Sequence, residues 1–375
     1  MLRREFIKKI GIGTAAIGGA SAMGVLSGCG SDNSVKSEEK QADFSKSYTW
    51  KMATTWPPHF PILGEGADNF AQWVEEMSSG RLKIKVYGGG ELVPPLQVFD
   101  AVNQGTVQMG HGTPSYWAGK VPASQFFASV PFGFNAQSFN SWIYCGGGIE
   151  LWREAYADFN LKPFAGGNTG VQMGGWFNKE VKSIKDLKGL KMRMPGLGGK
   201  VLAKAGANAI LVAGGEIYTA LDRGVIDATE WIGPYHDLMM GFYKAAKYYY
   251  YPGWHEPGPG LEILVNKEAF DSLPQDLQFI IEAATFKSNM QILSEFEAKN
   301  NEALQILIKK HKVKLRRFPD TLLKKLKGIS REVLEELAAK DPVCRKVYDS
   351  FLDFQKNIYS WNRLTEEIYQ TFKYL

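Results

Sequence analysis

The sequence predicts an α/β fold of two lobes with a cleft and a hinge between them, and C-terminal helices that pack across both lobes. Three observations carry that expectation. Strand and helix patterns alternate at the start of the folded region. Roughly 330 of the 375 residues follow the N-terminal segment, enough for two hydrophobic cores rather than one. Finally, two stretches about 120 residues apart share one local plan.

The first element, residues 1–29, reads as an export signal. Arg3, Arg4, Lys8 and Lys9 form a basic start, followed by a small, apolar run too short and too rich in Gly and Ala for a membrane span. The paired arginines resemble a twin-arginine signal, and "LSGC" (Leu26 to Cys29) resembles a lipoprotein processing box that would leave Cys29 acylated. Gly11, Gly13 and Ala16 fit a dinucleotide fingerprint, but no strand precedes them and the match is discarded. Residues 30–46 are polar and read as a flexible tether.

Lobe 1 is expected over 47–167 plus 265–310, and lobe 2 over 168–264. "YTWKMATTW" reads as a strand. The next segment has Phe70, Trp73, Val74 and Met77 at helical spacing, and Gly80 stops it. "RLKIKVYGGG" alternates Leu82, Ile84 and Val86 with Lys83 and Lys85, a half-buried strand. "LKPFAGG", "VQMGGWFNK", "LKMRMPG" and "GLEILVNKEAF" supply further strands, the last after a Pro/Gly-rich loop at 252–260. The shared plan lies in Ala101 to Trp117 and Ala220 to Asp237. Each has a helix end, a glycine stop (Gly105, Gly224), a short strand with a polar residue at one offset (Gln108, Asp227), and a loop with Pro and Tyr. If the two correspond, His111 and Tyr116 face Glu230 and Trp231 across the cleft, where open α/β sheets bind ligands.

Residues 311–375 read as a C-terminal helical region. Phe351, Phe354, Ile358, Trp361, Leu364, Ile368 and Phe372 form an unbroken apolar stripe, which either lies across the lobes or faces a second subunit.

Composition excludes several functions. The net charge is +5, and residues 1–30 carry four basic and one acidic residue, which leaves 40 basic against 38 acidic, a net +2. That gives no footing for nucleic acid. Beyond Cys29 only Cys145 and Cys344 remain, too few for a disulfide framework or a thiolate metal site; they either pair or stay as buried thiols. No nucleophile elbow, HExxH, Cys/His dyad or P-loop occurs, and the five histidines are scattered. The sequence therefore predicts no enzyme.

The candidate site rests on side-chain chemistry. Arg193 ends a strand beside Pro195, a position suited to gripping a carboxylate through two parallel hydrogen bonds, or else it is an ordinary surface arginine. Gln172 lies in an expected strand and matters if its amide points the same way. Glu230, in an apolar setting next to Trp231, needs a partner. That partner is an arginine or a hard cation such as Na⁺ or Ca²⁺, which suits oxygen ligands. Glu256 is either a ligand contact or a solvated loop glutamate, and His59 is a candidate wall residue.

The motifs "LKGLKMRMPG", "GGEIYTALDRGVIDATEW" and "GPYHD" resemble the extracytoplasmic solute-binding subunits of tripartite ATP-independent periplasmic (TRAP) transporters, in the subgroup that binds 2-oxo acids such as pyruvate. The resemblance covers Thr49 to about Asp271 and implies a two-lobed periplasmic binding protein. It implies that Arg193 pairs with the substrate carboxylate, that Gln172 binds substrate and cation, and that Glu230 and the Trp231 main chain complete the cation shell. Trp231 also counts among the substrate contacts, and Tyr116 and Glu256 hydrogen-bond the ligand. The implied partners are a small carboxylate with Na⁺ (alternatively Ca²⁺) and the TRAP membrane subunits; the apolar stripe, read on its own, adds a homodimer through the C-terminal helix as the alternative to packing across the lobes. The implied location is the periplasm. Replacing Arg193 by Ala is expected to abolish carboxylate binding with the fold intact.

Overall fold

The computed structural model describes residues 45–372, all within one compact unit. The export signal, the Cys29 box and most of the tether lie outside the described residues.

Two sheets organise the chain. The first runs β2-β1-β3-β10-β4, from β1 (Tyr48–Thr54), β2 (Leu82–Tyr87), β3 (Met109–Gly112), β4 (Leu161–Asn168) and β10 (Gly260–Asn266). The second runs β11-β9-β5-β8-β6-β7, from β5 (Gly175–Phe177), β6 (Lys191–Arg193), β7 (Asn208–Ile210), β8 (Ala228–Thr229), β9 (Tyr248–Tyr251) and β11 (Lys314–Arg317).

The sheets repeat one topology, and the similarity between 101–117 and 220–237 is real. Strands β2-β1-β3 pair in parallel, as do β7-β6-β8. An antiparallel pair then extends each set, β10-β4 in one and β5-β9 in the other. Even the matched polar residues do one job. The Lys51 N–H donates to Gln108 Oε1 at 2.9 Å, and the Lys191 N–H donates to Asp227 Oδ2 at 3.0 Å. Both stops adopt the left-handed backbone that glycine alone takes cheaply, with φ of 73° at Gly105 and 71° at Gly224.

Burial explains the elements. In β2, Leu82 and Ile84 are buried and Lys83 and Lys85 exposed, the alternation expected. Helix Leu63–Met77 buries Ala67, Phe70, Ala71 and Val74. Trp73 is only half-buried, with the Lys287 ammonium 4.2 Å from its ring, and Met77 is 43 % exposed, so the buried face is turned from the one the sequence suggested.

The chain crosses between sheets along 169–174 and returns along 252–259. Helix Gln275–Lys309 serves both halves: Leu277, Ile281 and Ala284 pack with Phe70 and Val265, whereas Ile292, Phe296 and Leu307 pack with Trp176 and Tyr249. Helix Asp320–Lys340 packs on helix Gly196–Lys204 beside the second sheet, and helix Pro342–Asn362 packs on helix Gly148–Ala155 beside the first. C-terminal helices therefore span both halves, as expected.

Several expectations need revision. Strand β10 begins at Gly260 yet belongs wholly to the first sheet, and β11 lies inside the expected helical region and pairs with β9. The apolar stripe is not continuous. Phe351 is buried, but a turn over 363–365 ends the helix, and beyond it Leu364 and Phe372 are 74 % and 65 % exposed. Cys145 is exposed and Cys344 buried, and both are free. Among the described residues, no helix is long and apolar enough to cross a membrane.

Candidate functional site

The two sheets and both crossing segments deliver side chains to one pocket. Trp56, Thr113 and Tyr116 follow strands of the first sheet, and Arg193, Pro195, Glu230, Trp231 and Ile232 end or follow strands of the second. Thr169, Gln172, Glu256 and Pro259 come from the crossing segments, and Leu261 from β10. This is the region outside the strand ends where α/β sheets bind ligands.

Arg193 and Glu230 meet because β6 and β8 are parallel neighbours with Arg193 level with Thr229. One residue further on, Glu230 turns its carboxylate onto the guanidinium. Both side chains are buried, at 2 % and 0 % exposure, so the surface reading of Arg193 is excluded. Arg193 Nη1 donates to Glu230 Oε1 in a close ion pair and to the Glu230 carbonyl at 3.2 Å. Nε donates to the Val212 carbonyl at 3.3 Å, and Nη2 donates to the Tyr116 hydroxyl at 3.1 Å, which ties the two sheets together across the pocket. The guanidinium carbon sits 5.3 Å from the Trp231 ring centroid, within cation–π range. Of the two partners the sequence left open for Glu230, the arginine is directly in place.

The other carboxylate oxygen faces His255, whose Nε2 lies 3.3 Å from Glu230 Oε2. Glu230, His255 and Glu256 each bring a ligand atom within 4.8 Å of the others. Burial pushes the Glu256 carboxyl up to about 8; the Glu230 charge adds to the rise and Arg193 opposes it.

Gln172 is not in a strand. Its main-chain N–H donates to the Glu256 carbonyl at 3.1 Å and its carbonyl accepts from Gly253 at 2.9 Å, so the returning segment consumes the groups a ladder would use. A Cβ at Gly253 would lie 2.2 Å from that Gln172 carbonyl, so the close approach requires glycine. The amide Nε2 donates to Thr169 at 3.2 Å, while Oε1 is buried with no hydrogen-bond partner among the described residues. An orphaned buried acceptor in the pocket that Glu230 and Glu256 also line fits a cation.

Every predicted site residue (Tyr116, Gln172, Arg193, Glu230, Trp231 and Glu256) lines this pocket. His111 does not. It is buried in β3, its Nδ1 accepts from Trp56 Nε1 at 3.0 Å, and burial pushes its pKa down to about 4. Trp56 takes the place expected for it, with ring contacts to His111 at 5.7 Å and Trp231 at 6.4 Å. His59 is no wall residue either; its side chain is 83 % exposed and bonds Asp68 at 2.9 Å. Sequence reasoning missed His255, Trp56, Thr113 and Thr169. Only His255 carried a signal, its place next to Glu256.

Residues 52–341 match the sequence pattern of the bacterial extracellular solute-binding proteins, family 7. A monocarboxylate 2-oxoacid-binding periplasmic protein of Nostoc sp. (strain PCC 7120) is 46 % identical over 99 % of both chains. A TRAP periplasmic solute-binding protein from Colwellia psychrerythraea, solved with calcium and pyruvate, superposes with a TM-score of 0.85 at 45 % identity, over 87 % of this chain and 99 % of that one. Its counterpart from Pseudoalteromonas atlantica T6c, solved with sodium and pyruvate, gives 0.85 at 44 % identity with the same coverage.

Proposed function

The chain belongs to family 7 of the bacterial extracellular solute-binding proteins, as a TRAP solute-binding protein, and on that premise we propose that it captures a small 2-oxo monocarboxylate of the pyruvate class together with a metal cation. It delivers this ligand to the membrane subunits of a TRAP symporter and catalyses no reaction on it. The observation that carries the reading is the buried Arg193–Glu230 pair inside a pocket reached from both sheets.

A three-carbon acid has few atoms, so its affinity must come from charge-assisted contacts in a dry site. Arg193 grips the carboxylate, with Tyr116, Gln172, Trp231 and Glu256 completing the ligand contacts. Glu230, the Gln172 amide oxygen and the Trp231 main chain hold the cation, Na⁺ or alternatively Ca²⁺. When bound, the cation supplies a hard positive charge for the ligand's oxygens. Support for the pair of ions comes from the pyruvate-bound relatives, which carry sodium in one case and calcium in the other. Among the described residues Arg193 is the one cationic side chain lining the pocket, which favours a monocarboxylate over a dicarboxylate.

The lobes of this proposal are the two sheets with their helices, hinged along 169–174 and 252–259. The protein works in the periplasm, released by the export signal or anchored through Cys29. A homodimer through residues 361–372 accounts for the exposure of Trp361, Leu364, Ile368 and Phe372.

A thermal-shift screen of pyruvate, 2-oxobutyrate, lactate and C4-dicarboxylates, each with Na⁺ or Ca²⁺, tests the reading. A ligand at a hundred times its Kd stabilises the folded state by about 2.7 kcal/mol, so 2-oxo acids should raise the Tm most. A shift seen only with lactate or only with dicarboxylates would reassign the substrate class.

A further inference from the structure

The "GPYHD" motif ends on a residue the pocket does not use. Asp237 is 1 % exposed and its carboxyl is fully occupied: Oδ2 accepts from Trp176 Nε1 at 2.9 Å and from the Tyr249 hydroxyl at 2.6 Å, and Oδ1 lies 3.5 Å from the Ile232 N–H. Ile232 immediately follows Trp231 and itself lines the pocket. The first sheet carries a counterpart. Glu262 on β10 is 0 % exposed and accepts from Trp117 Nε1 and, at 3.0 Å, from the Tyr156 hydroxyl. Trp117 immediately follows Tyr116, whose hydroxyl meets Arg193. In each half a buried carboxyl is thus gripped by one indole and one phenol, and bonds the residue next to a pocket-lining aromatic.

We propose that Asp237 and Glu262 are positioning residues that fix, one from each sheet, the segments presenting Trp231 and Tyr116 to the ligand. The inference rests on the solute-binding reading above. Burial pushes the two carboxyls up to about 7 and about 8, and neither has a cationic partner among its hydrogen bonds. An apolar side chain would fill either site without that desolvation, but would leave the indole and phenol unpaired.

The donor inventories make the two anchors respond differently to amide substitution. At position 262 a glutamine keeps an acceptor for Trp117, and its NH₂ can donate to Tyr156, because a phenol oxygen both donates and accepts. At position 237 an asparagine that keeps its oxygen on Trp176 and Tyr249 turns its NH₂ toward the Ile232 N–H, and two donors then face each other.

The experiment is pyruvate titration by calorimetry in saturating Na⁺ on the full chain, with urea midpoints measured in parallel. Asp237→Asn and Glu262→Leu should each raise the Kd at least tenfold in protein that is folded at the assay temperature, and Asp237→Asn should also raise the half-saturating Na⁺ concentration. Glu262→Gln should stay within threefold of wild type. If Asp237→Asn fails to fold, Tyr249→Phe, which removes one donor, decides through the same tenfold threshold. Variants that lose urea resistance yet bind pyruvate like wild type would show the carboxyls to be merely structural and overturn the proposal. A wild-type chain that does not bind pyruvate would instead count against the functional reading.

Discussion

Replacing Arg193 tests stability and binding at once. From the sequence alone, Arg193→Ala leaves the fold intact. The structure changes that expectation, because the guanidinium and the Glu230 carboxylate are 2 % and 0 % exposed and paired. Removing one partner of a buried pair strands the other charge and costs about 3–5 kcal/mol, against a total stability of about 5–15 kcal/mol. Arg193→Met keeps most of the volume, and Glu230→Gln keeps the shape. Each single variant should therefore lose about 3–5 kcal/mol in urea unfolding. The double variant has no charge left to strand, and exchanging a buried pair for neutral groups is often close to neutral. It should lose no more than either single variant does, which puts the coupling energy at about 3 kcal/mol or more, the upper end for residues in contact. Pyruvate binding, measured by calorimetry on the same samples, should be absent from both Arg193→Met and the double variant. Additive losses would refute the pairing, and pyruvate binding by the stable double variant would refute the role of Arg193.

Three further outcomes follow from particular side chains. Gln172→Leu removes the orphaned acceptor; pyruvate affinity should fall at least tenfold by calorimetry while the urea midpoint changes little. For Glu262, the pKa is raised from 4.5 to about 8. Its contribution is fully present below the unfolded value and is lost as pH rises through the folded one, by a few kcal/mol at about 1.4 kcal/mol per unit. Urea midpoints from pH 5 to 9 should thus fall more steeply for wild type than for Glu262→Gln, and parallel curves would contradict the raised value. Leu364 and Ile368 are 74 % and 49 % exposed; if they face a second copy, the Leu364→Glu/Ile368→Glu variant should elute as a monomer in light-scattering chromatography where wild type elutes as a dimer.

Local chemistry made part of this molecule legible in its sequence. The glycine stops, the alternating strands and the charges at strand ends are set within about ten residues of chain, and the structure keeps them. Arg193 and Glu230 could both be singled out, but their direct pairing depends on β6 and β8 lying side by side across 37 residues. No spacing rule encodes that. Gln172 looked like a strand residue because its neighbours alternate, whereas its backbone is committed to Gly253 and Glu256 on the returning segment. His111 has the right place in the repeat, but Trp56 screens it from the pocket. The C-terminal stripe is helical in period on both sides of the turn at 363–365, and period alone does not reveal a break.

Calorimetric titration of pyruvate into the chelator-treated full chain, first with Na⁺ and then with choline in its place, tests the central claim most directly. Binding in Na⁺, restored by Ca²⁺ and lost in choline, is the predicted result. Equal affinity in choline, or no heat with any cation, would contradict a site in which a guanidinium and a carboxylate-held cation share one small anion.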